Sequence, residues 1–205
     1  MQAVPFTPKQ QYDSDYLLMW QRLAHLADVP AGTFKEPPNT SLSKLYKQAL
    51  SLEKTKEYEK TLLLLEPALE NEVNSIPVSI YIADTYQKAG DKQKALKLYH
   101  QLHELYPSQV PIILSYSKQL LDNGQIAEAR TLVRKAMNRQ QAVIPELYKL
   151  LATIEARLGA QVSAYRYLSI YYFETGRPHQ ALQQVELGLA TTGLSFYERE
   201  ELEAQ

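Results

Sequence analysis

From about residue 42 to residue 175 the apolar positions recur every three to four residues, and glycines and prolines break the run into paired segments. That spacing places a stripe of apolar side chains along one face of an α-helix. It predicts helical hairpins at about 42–72, 76–106, 110–140 and 145–175, then a helix over 178–191. Ser195 followed three residues later by Glu198 is a capping-box pattern, which opens one last short helix with a Glu-rich, polar outer face. Pro67 falls inside the second helix of the first pair and is expected to kink it or cut it short. Upstream, Asp13 or Ser14 caps a helix running to about Ala27, with Tyr16, Met19, Trp20, Leu23 and Leu26 on one side. Val29 to Asn39, with Pro30, Gly32, Pro37 and Pro38, reads as a linker, and the first dozen residues read as extended.

The breaks repeat. Gly90 and Gly124 lie 34 residues apart, as do Ala95 and Ala129; Gly159 with Ala164 follows after 35, and Gly176 with Ala181 after only 17. One period earlier the window Lys56–Thr61 keeps the pattern without the glycine or the alanine. A 34-residue period built from two amphipathic helices resembles the tetratricopeptide repeat. In the second repeat the residues that carry the resemblance are Ile82, Ala83, Tyr86, Gly90, Ala95, Tyr99 and Pro107. Small Ala83 and Ala95 let the paired helices approach, the tyrosines fill the space between hairpins, and Gly90 supplies the left-handed turn. The expected fold is therefore all-α, a tetratricopeptide solenoid of about ten to eleven helices. Its repeats fall at about 42–75, 76–109, 110–144 and 145–177, followed by a partial repeat and capping helix over 178–205. The half-period step at Gly176 implies that the helix before it serves two neighbours. The first pair, with no turn glycine and with Pro67, is the expected weak hairpin.

Composition narrows the function. A net charge of −1 over 205 residues gives no basic excess to displace counterions from a phosphate backbone, which argues against nucleic acid as the partner. No segment approaches the roughly 18 apolar residues of a membrane span. No charged start followed by an apolar run marks a signal peptide at residue 1. The absence of cysteine removes disulfides, thiolate zinc sites and thiol nucleophiles together. The histidines are His25, His100, His103 and His179, and the sequence His100-Gln-Leu-His103-Glu104 fits neither order of a zinc-protease helix. There is no nucleophile elbow, phosphate loop or dinucleotide fingerprint. The chain reads as non-enzymatic, with no cofactor of its own.

Tandem helical repeats bind along the concave face lined by the first helix of each pair. Counting from each repeat start, that face is expected to include Tyr46, Leu50, Ile80, Asp84, Gln87, Leu114, Lys118, Lys149, Thr153, Arg166 and Ile170. The mixture lacks the lysine, asparagine and arginine set by which some tetratricopeptide domains clamp a C-terminal carboxylate. Tyr81, Tyr86, Tyr99, Tyr106, Tyr116 and Tyr148 are read as packing residues. Tyr165, Tyr167, Tyr171, Tyr172 and Phe173 crowd nine residues and must point several ways around a helix. Two readings stay open for them: some face a groove, or the helix is sandwiched on both sides.

The ends of the chain carry a narrower resemblance. Tyr12-Asp-Ser-Asp-Tyr-Leu-Leu-Met-Trp-Gln-Arg-Leu23 is similar to the segment that follows the protease domain in periplasmic zinc metalloproteases of the β-barrel assembly-enhancing protease family. Pro145–Ala152, Gly159–Tyr172 and Leu194–Arg199 resemble that family's last repeats and closing helix. The resemblance implies a periplasmic, non-catalytic C-terminal domain, with residues 1–41 as tail, leading helix and linker from a missing protease domain. It also implies docking on the outer-membrane β-barrel assembly machinery and presentation of stalled outer-membrane proteins. Zinc would belong to the missing protease domain, since none of its His-Glu-x-x-His ligands is present here. The alternative is a free-standing tetratricopeptide adaptor with no enzyme attached.

Overall fold

The computed structural model describes residues 41–70, 75–139 and 142–204. Among the described residues there are ten α-helices and no strand. They are α1 (Ser41–Lys54), α2 (Tyr58–Glu70), α3 (Ile76–Lys88), α4 (Lys92–Leu105), α5 (Val110–Asp122), α6 (Ile126–Arg139), α7 (Pro145–Arg157), α8 (Gln161–Glu174), α9 (Pro178–Leu189) and α10 (Phe196–Glu203). The leading helix and the linker expected over residues 13–39 lie outside the described residues. The helices alternate as first and second members of antiparallel hairpins, the arrangement of tetratricopeptide repeats. The chain divides into two compact units between Leu102 and His103, inside α4.

The same local chemistry sets the ends of successive helices. After α3, α5, α7 and α8 a glycine takes a left-handed backbone: Gly90 (φ +91), Gly124 (+78), Gly159 (+79) and Gly176 (+72). At each, the next residue's amide reaches back to a carbonyl one turn and a half earlier, as in Asp91 N–H to Tyr86 O at 2.9 Å and Gln125 N–H to Leu120 O at 2.8 Å. These are Schellman closures, and they satisfy carbonyls the helix end leaves open. The first hairpin forms the same closure with Lys56 at φ 59, Glu57 N–H bonding Leu52 O at 3.0 Å. Proline provides the opposite punctuation. Pro77, Pro111, Pro145 and Pro178 each occupy the first or second position of a helix, where a missing N–H costs nothing.

In the first unit, α1 buries Tyr46, Ala49 and Leu50 at i, i+3, i+4 spacing against Leu62 and Leu65 of α2 and Val78, Tyr81 and Ile82 of α3. The rings of Tyr46 and Tyr81 meet edge to face at 5.1 Å. Burying each of the Leu, Val and Ile side chains stabilises by about 1.5–3 kcal/mol. The Tyr99 hydroxyl donates to the Asp84 carboxylate, joining α4 to α3, and Lys88 pairs with the buried Glu53 carboxylate. Helix α2 runs on past Pro67 to Glu70 and is not cut short there. The carbonyl that Pro67 cannot bond belongs to Leu63, which is 72% exposed, so water can take it.

In the second unit, α5/α6, α7/α8 and α9/α10 form consecutive hairpins, with α6 on α7, α8 on α9, and α5 also on α7. Glu155 of α7 is fully buried, and its Oε1 accepts from Arg130 Nε (2.8 Å) and Arg134 Nη2 (3.0 Å) of α6. Arg157 donates to the Leu121 carbonyl at 3.0 Å, tying α7 to the C-terminal end of α5. Gly193 (φ +79) lies 34 residues after Gly159, so the last two helices form a fifth hairpin with a shortened second member. The Ser195–Glu198 capping box forms, with the Ser195 side chain accepting from Glu198 N–H and Glu198 accepting from Ser195 N–H at 2.9 Å. Leu202 docks on Gly188, where an added Cβ would come within 2.8 Å of its methyl. The expected Glu-rich outer face of α10 forms, with Glu200, Glu201 and Glu203 exposed, and Phe196 and Tyr197 are exposed at its start.

Candidate functional site

The eleven residues assigned to a concave face fall into three environments. Tyr46, Leu50 and Ile80 are in the core and offer nothing to a partner. Asp84, Gln87, Leu114, Arg166 and Ile170 are half-buried, while Lys118, Lys149 and Thr153 are exposed. A first helix packs both on its own partner and on the next hairpin, so only a narrow stripe stays free. An error of one residue turns the stripe by about 100° and moves it into a seam. The register itself also changes environment along the chain. The fourth residue after the opening proline is buried Tyr81 in α3, half-buried Ser115 in α5, exposed Lys149 in α7 and exposed Leu182 in α9. Of the tyrosines read as packing residues, Tyr81, Tyr99 and Tyr116 are buried, and Tyr86, Tyr106 and Tyr148 are half-buried.

Among these residues, Lys149 of α7 meets the aromatic helix α8. This helix packs against both α7 and α9, burying Ala164, Tyr167 and Ser169. Being sandwiched does not hide all its rings: Tyr165, Tyr171 and Tyr172 are half-buried and Phe173 is exposed. Tyr171 is the telling one. Twelve residues after the turn glycine, α4 places Leu102 and α6 places Ala136, both buried; α8 places Tyr171, half-buried. Lys149 Nζ lies 5.3 Å from the Tyr171 ring centre and the Arg177 guanidinium 5.0 Å from it. Arg177 is also 4.8 Å from Tyr172, and the two tyrosine rings are 5.4 Å apart. Thr175 Oγ1 accepts from Arg177 Nε at 3.1 Å and Nη2 at 2.9 Å, which holds the guanidinium plane against the rings. Cation–ring contacts of this kind are worth about 0.5–1 kcal/mol each where water reaches them.

Arg166 has a different task. Its Nη1 pairs with Glu201 of α10 at 3.0 Å, its Nη2 donates to the Tyr167 hydroxyl at 3.0 Å, and its guanidinium lies 4.7 Å from that ring. It fastens the last helix to α8. Sequence reasoning passed over Arg177. Its signal was available as a cation at the turn directly after a run of tyrosines. His103 packs its ring 6.3 Å from Tyr116, and among the described residues no three His, Asp or Glu side chains gather as metal ligands.

Burial pushes the Tyr116 hydroxyl up from its ordinary value, with the Glu128 charge adding to it. Tyr86 is pushed up to about 12, first by burial and then by the Glu66 carboxylate that its hydroxyl donates to.

The paired helices and their glycine-closed turns form an all-α array of tetratricopeptide-type hairpins. Residues 86–154 match the tetratricopeptide repeat family profile. No curated protein matches the chain in sequence. Similar solved structures include MamA, at 11% identity over 77% of this chain and 97% of that one, with a TM-score of 0.48. TTC0263, a thermophilic TPR protein of Thermus thermophilus, is 19% identical over 78% and 96%, with a TM-score of 0.47. The APC/C hetero-tetramer Cut9–Hcn1 is 17% identical over 93% of this chain and 40% of that one, with a TM-score of 0.44.

Proposed function

We propose that this chain captures an extended, incompletely folded polypeptide, with the fourth hairpin as the anchoring surface. The observation that carries the reading is the half-exposed pair Tyr171 and Tyr172 with Lys149 and Arg177 against them, Tyr171 standing where α4 and α6 place a buried apolar side chain. Tyrosines provide large amphipathic contact at low entropic cost, and this suits a client whose ordering on binding itself costs conformational entropy. Affinity for any one segment is expected to be modest.

The fuller reading rests on the resemblance of the two ends of the chain to a periplasmic zinc protease family. In it, this is the repeat domain of such a protease, working in the periplasm and using no cofactor itself. It docks on the outer-membrane β-barrel assembly machinery and raises the concentration of misassembled outer-membrane proteins at a tethered active site. A free-standing adaptor is the competing reading. Capture by the purified chain of a urea-denatured outer-membrane protein diluted into buffer, lost in Tyr171→Ala/Tyr172→Ala, is the expected outcome. Equal capture by that variant would move the binding surface elsewhere. The gene upstream of Gln2 decides between parent protease and adaptor by whether it encodes an in-frame His-Glu-x-x-His domain.

A further inference from the structure

The second unit uses most of its well-placed arginines internally. Arg130 and Arg134 meet Glu155, Arg166 meets Glu201, and Arg157 meets a helix-end carbonyl. Lys149 and Arg177 differ: both sit within 5.3 Å of one ring centre, and neither meets a carboxylate among the described residues. Two like charges drawn to one ring repel each other, and among the described residues rings and a threonine hydroxyl hold them there. Thr175 occupies the Nε–Nη2 edge of the Arg177 guanidinium, and the Nη1–Nη2 edge is the planar fork that suits a carboxylate.

From this juxtaposition we infer that Lys149, Tyr171, Tyr172 and Arg177 form a subsite for the carboxylate of an aspartate or glutamate in the bound polypeptide. The cations neutralise the acid, and the tyrosine rings cover the stem that carries it. The inference rests on the capture reading above and adds to it a chemical preference for acidic segments. A polypeptide is the favoured source of the anion. The chain's net charge is −1, and two cations among rings cannot provide the long run of phosphate contacts that nucleic acid needs.

The test is fluorescence anisotropy on the whole chain with two short labelled unstructured peptides, identical except that one carries glutamates where the other carries glutamines. The acidic peptide is expected to bind about tenfold tighter at low salt, an advantage that shrinks as salt rises. In K149Q/R177Q the ratio of the two affinities is expected to fall to about one, whatever the change in binding of the glutamine peptide. R177K keeps the charge but loses the fork, and is expected to lose part of the preference. K149Q alone changes an exposed side chain, so it carries the test should the double variant lose its helical circular dichroism. Equal affinity of the wild-type chain for both peptides overturns the inference and leaves the capture reading standing. A preference that survives in folded K149Q/R177Q, or tighter binding of a single-stranded oligonucleotide of equal charge, also overturns it. Failure of both peptides to bind overturns the capture reading, and the inference with it.

Discussion

Lys56 stands in a left-handed turn that every later first-to-second-helix turn gives to glycine. A side chain there costs on the order of 1 kcal/mol, because Cβ crowds the following carbonyl. Lys56→Gly is therefore expected to stabilise the chain by up to about 1 kcal/mol, seen as a higher urea midpoint at unchanged slope. No gain in midpoint would mean that the turn is not strained. The converse change, Gly124→Ala at φ +78, meets nothing within 4 Å, so any loss of stability there is purely conformational. Tyr86 makes a second residue-scale prediction. Its hydroxyl is pushed from 10.0 to about 12 in the folded chain, so the unfolded chain gives up its proton first as pH rises. The stabilisation is complete below pH 10 and is lost between 10 and about 12. Tyr86→Phe should flatten that part of the stability profile, and an unchanged slope would show that another group sets it.

At the scale of elements, the α6–α7 contact turns on the fully buried Glu155 carboxylate. Either arginine can neutralise it alone, so Arg130→Gln or Arg134→Gln singly is expected to cost less than about 1 kcal/mol. Removing both leaves a buried charge unpaired, at a cost of about 3 kcal/mol or more. The discriminating result is the failure of additivity in a double-mutant cycle; simple addition would mean that water reaches the carboxylate. Helix identities and turns were legible in the sequence because glycine and proline act locally: each fixes a φ wherever the rest of the chain goes. The four helix-opening prolines, Pro77, Pro111, Pro145 and Pro178, were an equally regular signal that the glycine spacing overshadowed. The free face of the first helices was much less legible. Tyr46 and Lys149 hold the same place in their helices, yet one is buried and the other exposed, since burial depends on what packs over a helix and not on its own period. Arg177 went unread for a related reason: it lies in a turn, and only the folded chain brings it against Tyr171.

For the whole molecule, stability in helical repeats is a sum of local hairpin terms and nearest-neighbour contacts, so hairpins need not unfold together. The first hairpin has the strained Lys56 turn and the proline within α2, and its amides are expected to exchange faster than those of α7 and α8. Hydrogen exchange that found α1 and α2 the best-protected helices would overturn that ranking. Function at this scale reduces to where an extended chain lies, which we propose is across Tyr171. The most direct measurement puts a photoreactive phenylalanine at Tyr171, and in a second sample at Leu63, which is 72% exposed in the other unit. Each is illuminated with denatured outer-membrane protein diluted into buffer. Strong crosslinking from position 171 and background from position 63 is the predicted result. Equal crosslinking from both, or none from 171, would contradict the assignment of the fourth hairpin as the binding surface.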